Sequence, residues 1–291
     1  MRLPTGLAIW LVALCYVAWG SGMPSMKIAL AAIAPLQVMA LRVIAPGLIY
    51  LCLLPRWINC RIKPGDWKYF ITLALCEPVL FFFCAASAMR FTTATEGSVI
   101  AALLPMAIAL GAAIFLKERI PAKALFWLLA AACGVIGMTL LGSPSVAAPD
   151  PLLGNALMLA GVFFSAGYTL LARRLSQDYP GLLISAFQAF IGCFAFCPLA
   201  LAMPWPQSLT GLELGAILWL AFGVGFGVYF VYNYALARVK AGVAGALANL
   251  APVFGVALAA LVLGEELPLA RLACCGIVLL ATILAGQAMK S

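Results

Sequence analysis

The sequence predicts an all-α integral membrane protein with ten transmembrane helices, arranged as two five-helix repeats of inverted topology at residues 1–143 and 150–291. Two observations predict this fold. The first is composition, since 66% of the 291 residues are hydrophobic, only 9% are charged, and the mean hydropathy is +1.14. A soluble domain carries about 25% charged residues, so this much apolar surface requires a bilayer. The second observation is an internal repeat.

The repeat pairs residues 85–141 with the stretch that begins at Tyr232. A shift of 147 positions superimposes two prolines and a glutamate on their counterparts, and a shift of 146 aligns the earlier parts of the two halves. Such self-similarity determines an architecture, so it is interpreted before any single motif. The matched pairs are Pro105 with Pro252, Glu118 with Glu265, Pro121 with Pro268, Lys27 with Arg173, and Arg42 with Gln188.

Apolar runs of about 20 residues, the length that crosses a bilayer, follow one another along the chain. The joints between them are short, so successive helices are predicted to be antiparallel neighbours. Because each half holds an odd number of spans, equivalent helices cross the membrane in opposite directions, as in an inverted repeat. The ten predicted spans are residues 6–27, 35–54, 68–89, 96–116, 122–141, 152–172, 180–203, 212–236, 242–263 and 269–287.

Lysine and arginine set the predicted orientation. Basic residues lie in the second, fourth, sixth and eighth joints, whereas the fifth and seventh joints have none. The positive-inside rule then predicts cytoplasmic termini for a multi-pass protein of the cell inner membrane, with Lys27 and Arg90 as exceptions on the outer side. The first apolar run lacks a small-residue cleavage site, so we expect no cleavable signal. Topology accounts for the net charge of +8, and we expect no nucleic-acid partner.

The ten cysteines lie almost wholly within apolar runs, and the chain has no histidine and no CxxC pair. They are therefore expected to be small apolar packing residues, and we expect neither a metal site nor a cofactor. The sequence also lacks GxSxG, HExxH and paired carboxylates. We therefore expect the protein not to be an enzyme.

A set of short motifs, ordered along the chain and partly repeated, resembles the EamA-type ten-helix permeases of the drug/metabolite transporter superfamily. The resemblance covers nearly the whole chain and implies two EamA-like repeats with a central cavity between them. One departure is Ser165-Ala166, which stands where family members usually carry a tryptophan. The motifs are Trp19-Gly20, Arg42, Ala88 with Thr92-Thr93-Ala94, Pro105, Leu116 with Glu118-Arg119, Pro252 and Gly264-Glu265, and Cys76-Glu77-Pro78 resembles one bacterial subgroup.

Two ionisable residues lie at membrane depth. Glu77 is about nine residues into the third span, and Arg42 is about seven residues into the second span from the opposite side, so their depths nearly coincide. They form either a structural ion pair between neighbouring helices or a site for substrate or protons. The second half has Gln188 and Val224 at the equivalent positions. A purely structural clamp would be needed in both halves, and this difference favours a functional site.

Further polar and aromatic residues are candidates for lining the cavity, although packing and interhelical hydrogen bonding are alternatives for each. Prolines and glycines within the spans predict weak points that serve either close helix packing or hinge motion. Glu118 and Glu265 precede the fifth and tenth helices and are expected to cap them. The cavity candidates are Trp19, Gln188, Tyr168, Asn233, Asn249 and Tyr232, and the hinge candidates are Pro78, Gly20, Pro105, Pro252 and Gly225.

The resemblance implies a secondary transporter, and we expect an exporter of amino acids or related small metabolites that works by alternating access. An arginine and a glutamate at one depth suit a zwitterion, with Arg42 for the carboxylate and Glu77 for the ammonium. An organic cation would need Glu77 alone, so a multidrug efflux permease is the alternative. A channel is the third possibility. The sequence shows neither a ring of charge nor a carbonyl filter, and this argues against a channel. The expected partners are the lipid bilayer, a small-molecule substrate and, as a candidate coupling ion, the proton, with the protein as a monomer or weak homodimer.

Overall fold

The computed structural model describes residues 4–117, 120–141, 145–146, 148–228, 231, 247, 250–266 and 268–288. Within this part of the chain the named elements are all helices. Seven helices are long and apolar enough to cross a bilayer, and a pair of helices bent by 40° passes the same test together. Two shorter apolar helices lie at Gly211–Gly227 and Leu250–Leu263. The predicted all-α membrane fold is confirmed, while the number of ten spans stays a prediction.

Where the structure describes both the start and the end of a predicted span, the helices begin and end within about five residues of the predicted boundaries. The end of the 212–236 span and the start of the 242–263 span lie outside the described residues. Two segments interrupt them with π-helical geometry, at Leu75–Leu80 between α4 and α5 and at Trp219–Gly227 after α11. The helices are α1 (Thr5–Gly20), α2 (Gly22–Ala32), α3 (Pro35–Cys52), α4 (Trp67–Ala74), α5 (Phe81–Phe91), α6 (Ala94–Ala101), α7 (Leu104–Leu116), α8 (Ala122–Leu140), α9 (Pro151–Leu175), α10 (Gly181–Leu201), α11 (Gly211–Leu218), α12 (Leu250–Leu263) and α13 (Leu269–Ala288).

Local sequence explains several helix starts. Pro35 and Pro151 occupy first-turn positions, where the missing N–H leaves no intrahelical bond unmade. The Asp150 side chain accepts a hydrogen bond from the Leu153 N–H at 3.0 Å at the start of α9. Thr210 and Glu213 form a reciprocal capping box at the start of α11, with N···O distances of 3.3 and 2.8 Å.

Helices from residues 1–143 pack mainly on helices from residues 150–291. The largest contacts of this kind join α8 to α13, α3 to α10, α5 to α9, and α1 to α12. Their shared core is continuous and includes the fully buried side chains of Met39, Met138, Met158 and Val278. The two halves therefore form one packed body rather than two separate bundles.

The outer surface of this body is apolar. Trp10, Phe115, Phe194 and Leu261 are each at least 70% exposed, and many leucines share this surface. Exposed apolar area on this scale is unfavourable in water, so lipid is the solvent that these side chains require. The fold and its surface are together those of a multi-pass membrane protein.

Close backbone contact explains one of the small residues. A Cβ atom on Gly20, the last residue of α1, would lie 3.1 Å from the Gly255 nitrogen of α12 and nearer still to the Ala251 carbonyl oxygen. A larger side chain would push α1 away from α12. Gly20 therefore serves close packing in this conformation, which was one of the two roles predicted for it.

The ends of the bundle differ in charge. The first, here called the basic end, contains residues 53–66 and 176–180, which contacts of Lys63 and Asp66 bring together, and it includes Arg56 and Arg61. The second, here called the Glu265 end, contains residues 91–96, 148–155, 264–266 and 268–271, which hydrogen bonds bring together. The basic end is the one that the positive-inside rule assigns to the cytoplasm.

Candidate functional site

The third membrane span is broken at Glu77. This residue has an extended backbone (φ −148°, ψ 121°) between two helical segments, and its side chain is buried, with 7% of the residue exposed. Pro78 follows directly and has no N–H with which to continue the helix. A break at membrane depth requires partners for the freed backbone groups.

The second half of the chain supplies those partners. Gln188 Nε2 on α10 donates a hydrogen bond to the Glu77 main-chain carbonyl oxygen at 2.9 Å. Ser165 Oγ on α9 donates one to Glu77 Oε2 at 2.7 Å. Glu77, on the first half, is thus held on its backbone and on its carboxylate by two different helices of the second half.

Arg42 lies on α3 near the same break. It is 9% exposed, and its guanidinium carbon lies 4.0 Å from the centroid of the Phe82 ring, which is cation–π geometry. Arg42 interacts electrostatically with Glu77. The Ser165 hydroxyl also donates a hydrogen bond to the Glu77 carboxylate. Glu77 thus has a hydroxyl partner as well as the charge of Arg42 nearby, and the choice between a structural ion pair and a substrate or proton site stays a prediction.

Tyr168 completes the cluster from α9. It is half-buried, its side chain interacts with that of Gln188, and its hydroxyl interacts electrostatically with the Glu77 carboxylate. Four of the eight predicted cavity residues are thus neighbours, and Ser165 joins them. We call this set the Glu77 cluster: Glu77, Arg42, Ser165, Tyr168 and Gln188.

The other predicted cavity residues lie elsewhere or outside the described structure. Trp19 on α1 packs against Tyr16 with the ring centroids 5.4 Å apart, on a helix that contributes no member to the Glu77 cluster. Asn233, Asn249 and Tyr232 lie outside the described residues. A surface recess of about 410 Å³ lies at the basic end, between Trp57 and Trp67 of the first half and Leu183 and Phe187 of the second, and no member of the Glu77 cluster lines it.

The predicted hinge residues occupy three kinds of position. Pro78 follows the extended Glu77, and Pro105 lies in the first turn of α7, just after the 40° bend from α6. Pro252 lies near the start of α12 as described. Gly225 lies in the π-helical segment, where a Cβ atom would come within 2.8 Å of the Leu220 carbonyl oxygen and 3.4 Å of that of Arg42.

A second polar cluster, at the Glu265 end, was not predicted. Glu96 on α6 is fully buried and pairs with Arg271 on α13. The Thr92 hydroxyl donates to the Glu96 carboxylate and lies 2.7 Å from Asn155 Oδ1 on α9. Asn155 Nδ2 in turn donates to Thr139 Oγ1 at 2.9 Å. The sequence offered one signal for this cluster, which is that Glu96 is an acid within an apolar repeat. However, Glu96 lies three residues after the N-cap Thr93, and an acid at that position is also typical of a helix cap.

Glu265 lies at the same end, and the prediction that it caps the tenth helix was wrong. Its two carboxylate oxygens accept hydrogen bonds from the Ala94 and Thr95 N–H groups at 2.7 and 2.9 Å. Glu265 thus caps α6 of the first half instead of the tenth helix that follows it in sequence. Helix N-termini attract carboxylates, and the tertiary fold selects which N-terminus Glu265 reaches. Glu118, its predicted counterpart, lies outside the described residues.

The basic end carries a more exposed set of links. Lys63 Nζ lies 3.3 Å from Asp178 Oδ2, with both side chains more than half exposed. Tyr179 OH donates to Asp66 Oδ2 at 2.6 Å and accepts from the Lys63 N–H at 3.0 Å. The hydrogen bond and charge of Asp178 raise the pKa of the Lys63 ammonium. Both ends of the protein therefore have polar contacts that join the first half to the second.

Comparison with known proteins gives a consistent set of similarities. The profile of the EamA-like transporter family matches residues 6–140 and again residues 152–287. A Bacillus subtilis (strain 168) protein named "Uncharacterized transporter YetK" is 33% identical over 190 residues, which are 64% of this chain and 58% of that protein. The match thus spans less than two thirds of YetK.

Two longer matches extend the comparison. An "Uncharacterized transporter" of Archaeoglobus fulgidus is 24% identical over 277 residues, covering 93% of this chain and 96% of that protein. A solved crystal structure with 19% sequence identity superimposes with a TM-score of 0.64 over 96% of this chain and 98% of that chain. At that identity the likeness supports the fold alone.

Proposed function

Because the chain belongs to the EamA-like transporter family, we propose that it is a secondary-active exporter of amino acids or related small metabolites that works by alternating access. Membership of this family makes the protein a membrane transporter that resides in the lipid bilayer and carries a small molecule. The substrate class, the direction and the mechanism are what we propose here.

The Glu77 cluster is the observation that supports the proposal. It combines a buried carboxylate, a guanidinium, a hydroxyl, a phenol and an amide at membrane depth, where such groups are costly and therefore favour a functional site. A carboxylate matches the ammonium of an amino acid, and a guanidinium matches its carboxylate. Glu77 and Arg42 belong to the first half, while Ser165, Tyr168 and Gln188 belong to the second. A site built from both halves changes when the halves move relative to each other, as alternating access requires.

An organic cation is the second candidate substrate, because Glu77 alone would attract it. Arg42 weighs against this candidate. Its guanidinium is close enough to interact electrostatically with Glu77 and would repel a purely cationic ligand at the same site. Zwitterions therefore fit the described charges better than cations do.

Ligand stabilisation of the purified protein tests the substrate class. A ligand that binds only the folded state at 100 times its Kd stabilises that state by about 2.7 kcal/mol. We expect amino acids or related zwitterions to raise Tm, and organic cations to raise it less. Counterflow into proteoliposomes, in which internal solute drives uptake of the labelled solute, should then show saturable exchange. Flux without saturation or counterflow would indicate a channel, and stabilisation by cations alone would contradict the zwitterion proposal.

We also propose that the membrane is the cell inner membrane, with both termini and the basic end in the cytoplasm. In whole cells, an impermeant thiol reagent is expected to label Val146→Cys and not Gly65→Cys. Val146 is fully exposed in the fifth joint, and Gly65 has open space for a side chain at the basic end. Labelling is measured as the increase over the parent protein with its native cysteines. After lysis both variants should react, and the reverse pattern in whole cells would invert the orientation.

A further inference from the structure

The polar cluster at the Glu265 end consists almost wholly of contacts between the two halves. Arg271 of the second half binds Glu96 of the first, and Asn155 of the second half contacts both Thr92 and Thr139 of the first. Glu265 of the second half accepts from the backbone of α6. Separation of the halves at this end would break all of these contacts together.

This cluster is also more deeply buried than the links at the opposite end. The side chains of Glu96 and Arg271 are 1% and 13% exposed, whereas those of Lys63 and Asp178 are 66% and 57% exposed. Exposed ion pairs contribute little to stability, while a buried carboxylate depends on its partners. In the described conformation the polar contacts between the halves are therefore more deeply buried at the Glu265 end than at the basic end.

We propose that Glu265, Glu96 and Arg271 form the gate that closes the Glu265 end, and that Glu265 controls it by capping α6 across the interface between the halves. The inference rests on the proposed alternating-access function. Glu265 is suited to control because, unlike Glu96, it is only partly buried, and because two backbone N–H groups at a helix start hold its carboxylate. Its carboxylate can be released to water, whereas the carboxylate of Glu96 is enclosed.

Thr95 offers a reporter inside the gate. It is fully buried directly behind the cap, and its hydroxyl has no hydrogen-bond partner among the described residues. Replacement by cysteine therefore removes no described hydrogen bond and changes the volume little. A thiol at this position should react with a small water-soluble reagent only when the Glu265 end opens.

The test compares labelling of Thr95→Cys alone and with Glu265→Gln in purified protein. Glutamine keeps the shape but loses the charge and one of the two acceptor oxygens, so at most one of the two N–H groups keeps its hydrogen bond, and the open population and the labelling rate are expected to rise by about tenfold. Glu266→Gln is the matched control, since it removes the same charge one residue away at an exposed position, and it should leave the rate unchanged. Gly65→Cys at the basic end should react equally in every background.

Ser98→Cys supplies a second reporter if Thr95→Cys does not fold, because Ser98 is 4% exposed and lies one turn deeper on α6, against Gly255 of α12. Unchanged labelling of both reporters in Glu265→Gln, or an equal rise in Glu266→Gln, would overturn the gate. A merely structural role predicts a lower Tm without selective labelling. Counterflow by the parent protein is measured separately, so failure of the gate and failure of the proposed transport function give different results.

Discussion

Replacement of Glu77 by glutamine is expected to lower the ratio of maximal transport rate to KM by about 10- to 100-fold. It is also expected to abolish accumulation of the substrate driven by a proton gradient. The amide keeps the shape of the carboxylate, and its oxygen still accepts from the Ser165 hydroxyl. What it loses is the charge, and a hydrogen bond to a charged group contributes about 1.5–3 kcal/mol. It also loses the ability to bind a proton, which is the candidate coupling ion, at this site.

Transport is measured in proteoliposomes with and without an imposed pH gradient, and folding is measured by Tm in detergent. Ser165→Ala is the matched control, because it removes the hydrogen bond to the Glu77 carboxylate while keeping the charge of that carboxylate. We expect it to change affinity by less than Glu77→Gln does and to preserve proton-driven accumulation. If Glu77→Gln transports with normal rate, affinity and pH dependence, then Glu77 is architectural and the site assignment is wrong.

Arg42 separates the remaining interpretations of the same site. A structural clamp predicts that the double variant Glu77→Gln/Arg42→Gln regains stability lost in either single variant, because no buried charge is left without its counterpart. A substrate site predicts that the double variant folds and does not transport. Retention of cation transport in Arg42→Gln, with loss of zwitterion transport, would assign the guanidinium to the substrate carboxylate.

The membrane fold was predictable because the features that determine it are local sequence patterns. Apolar runs of the right length, and a repeat with Pro105 and Pro252 in register, can be recognised in the sequence before any tertiary contact is known. The depth of Glu77 and Arg42 was predictable for the same reason, since depth follows from counting residues along a span.

Partners across the bundle were not predictable in this way. Glu265 was assigned to the helix that follows it, but its carboxylate reaches Ala94 and Thr95, about 170 residues earlier in the chain. Ser165 was notable in the sequence only because family members usually carry a tryptophan there, and nothing in its sequence neighbourhood identified Glu77 as its partner. Hydrogen bonds between halves depend on helix rotation and packing, which a single hydropathy pattern leaves open.

The largest stability effect is expected at the Glu96–Arg271 pair. Replacement of Arg271 by glutamine leaves the carboxylate of Glu96 fully buried without its cation, and breaking a buried pair in this way costs about 3–5 kcal/mol. Glu96→Gln should cost less, because the guanidinium of Arg271 is partly exposed and can reach water. The double variant Glu96→Gln/Arg271→Gln should recover most of the loss, since neither partner then carries a buried charge.

The free energies of unfolding of the parent, the two single variants and the double variant are measured in detergent and compared as a double-mutant cycle. In such a cycle the effects of substituting coupled residues deviate from additivity by about 0.5–3 kcal/mol. Lys63→Gln is the comparison at the basic end, where the ion pair is exposed, and we expect it to leave Tm nearly unchanged. Simple addition of the two single effects in the double variant would show that Glu96 and Arg271 act independently. That result would remove the buried pair as the source of stability at the Glu265 end, because the cost of each substitution would then arise from its own surroundings.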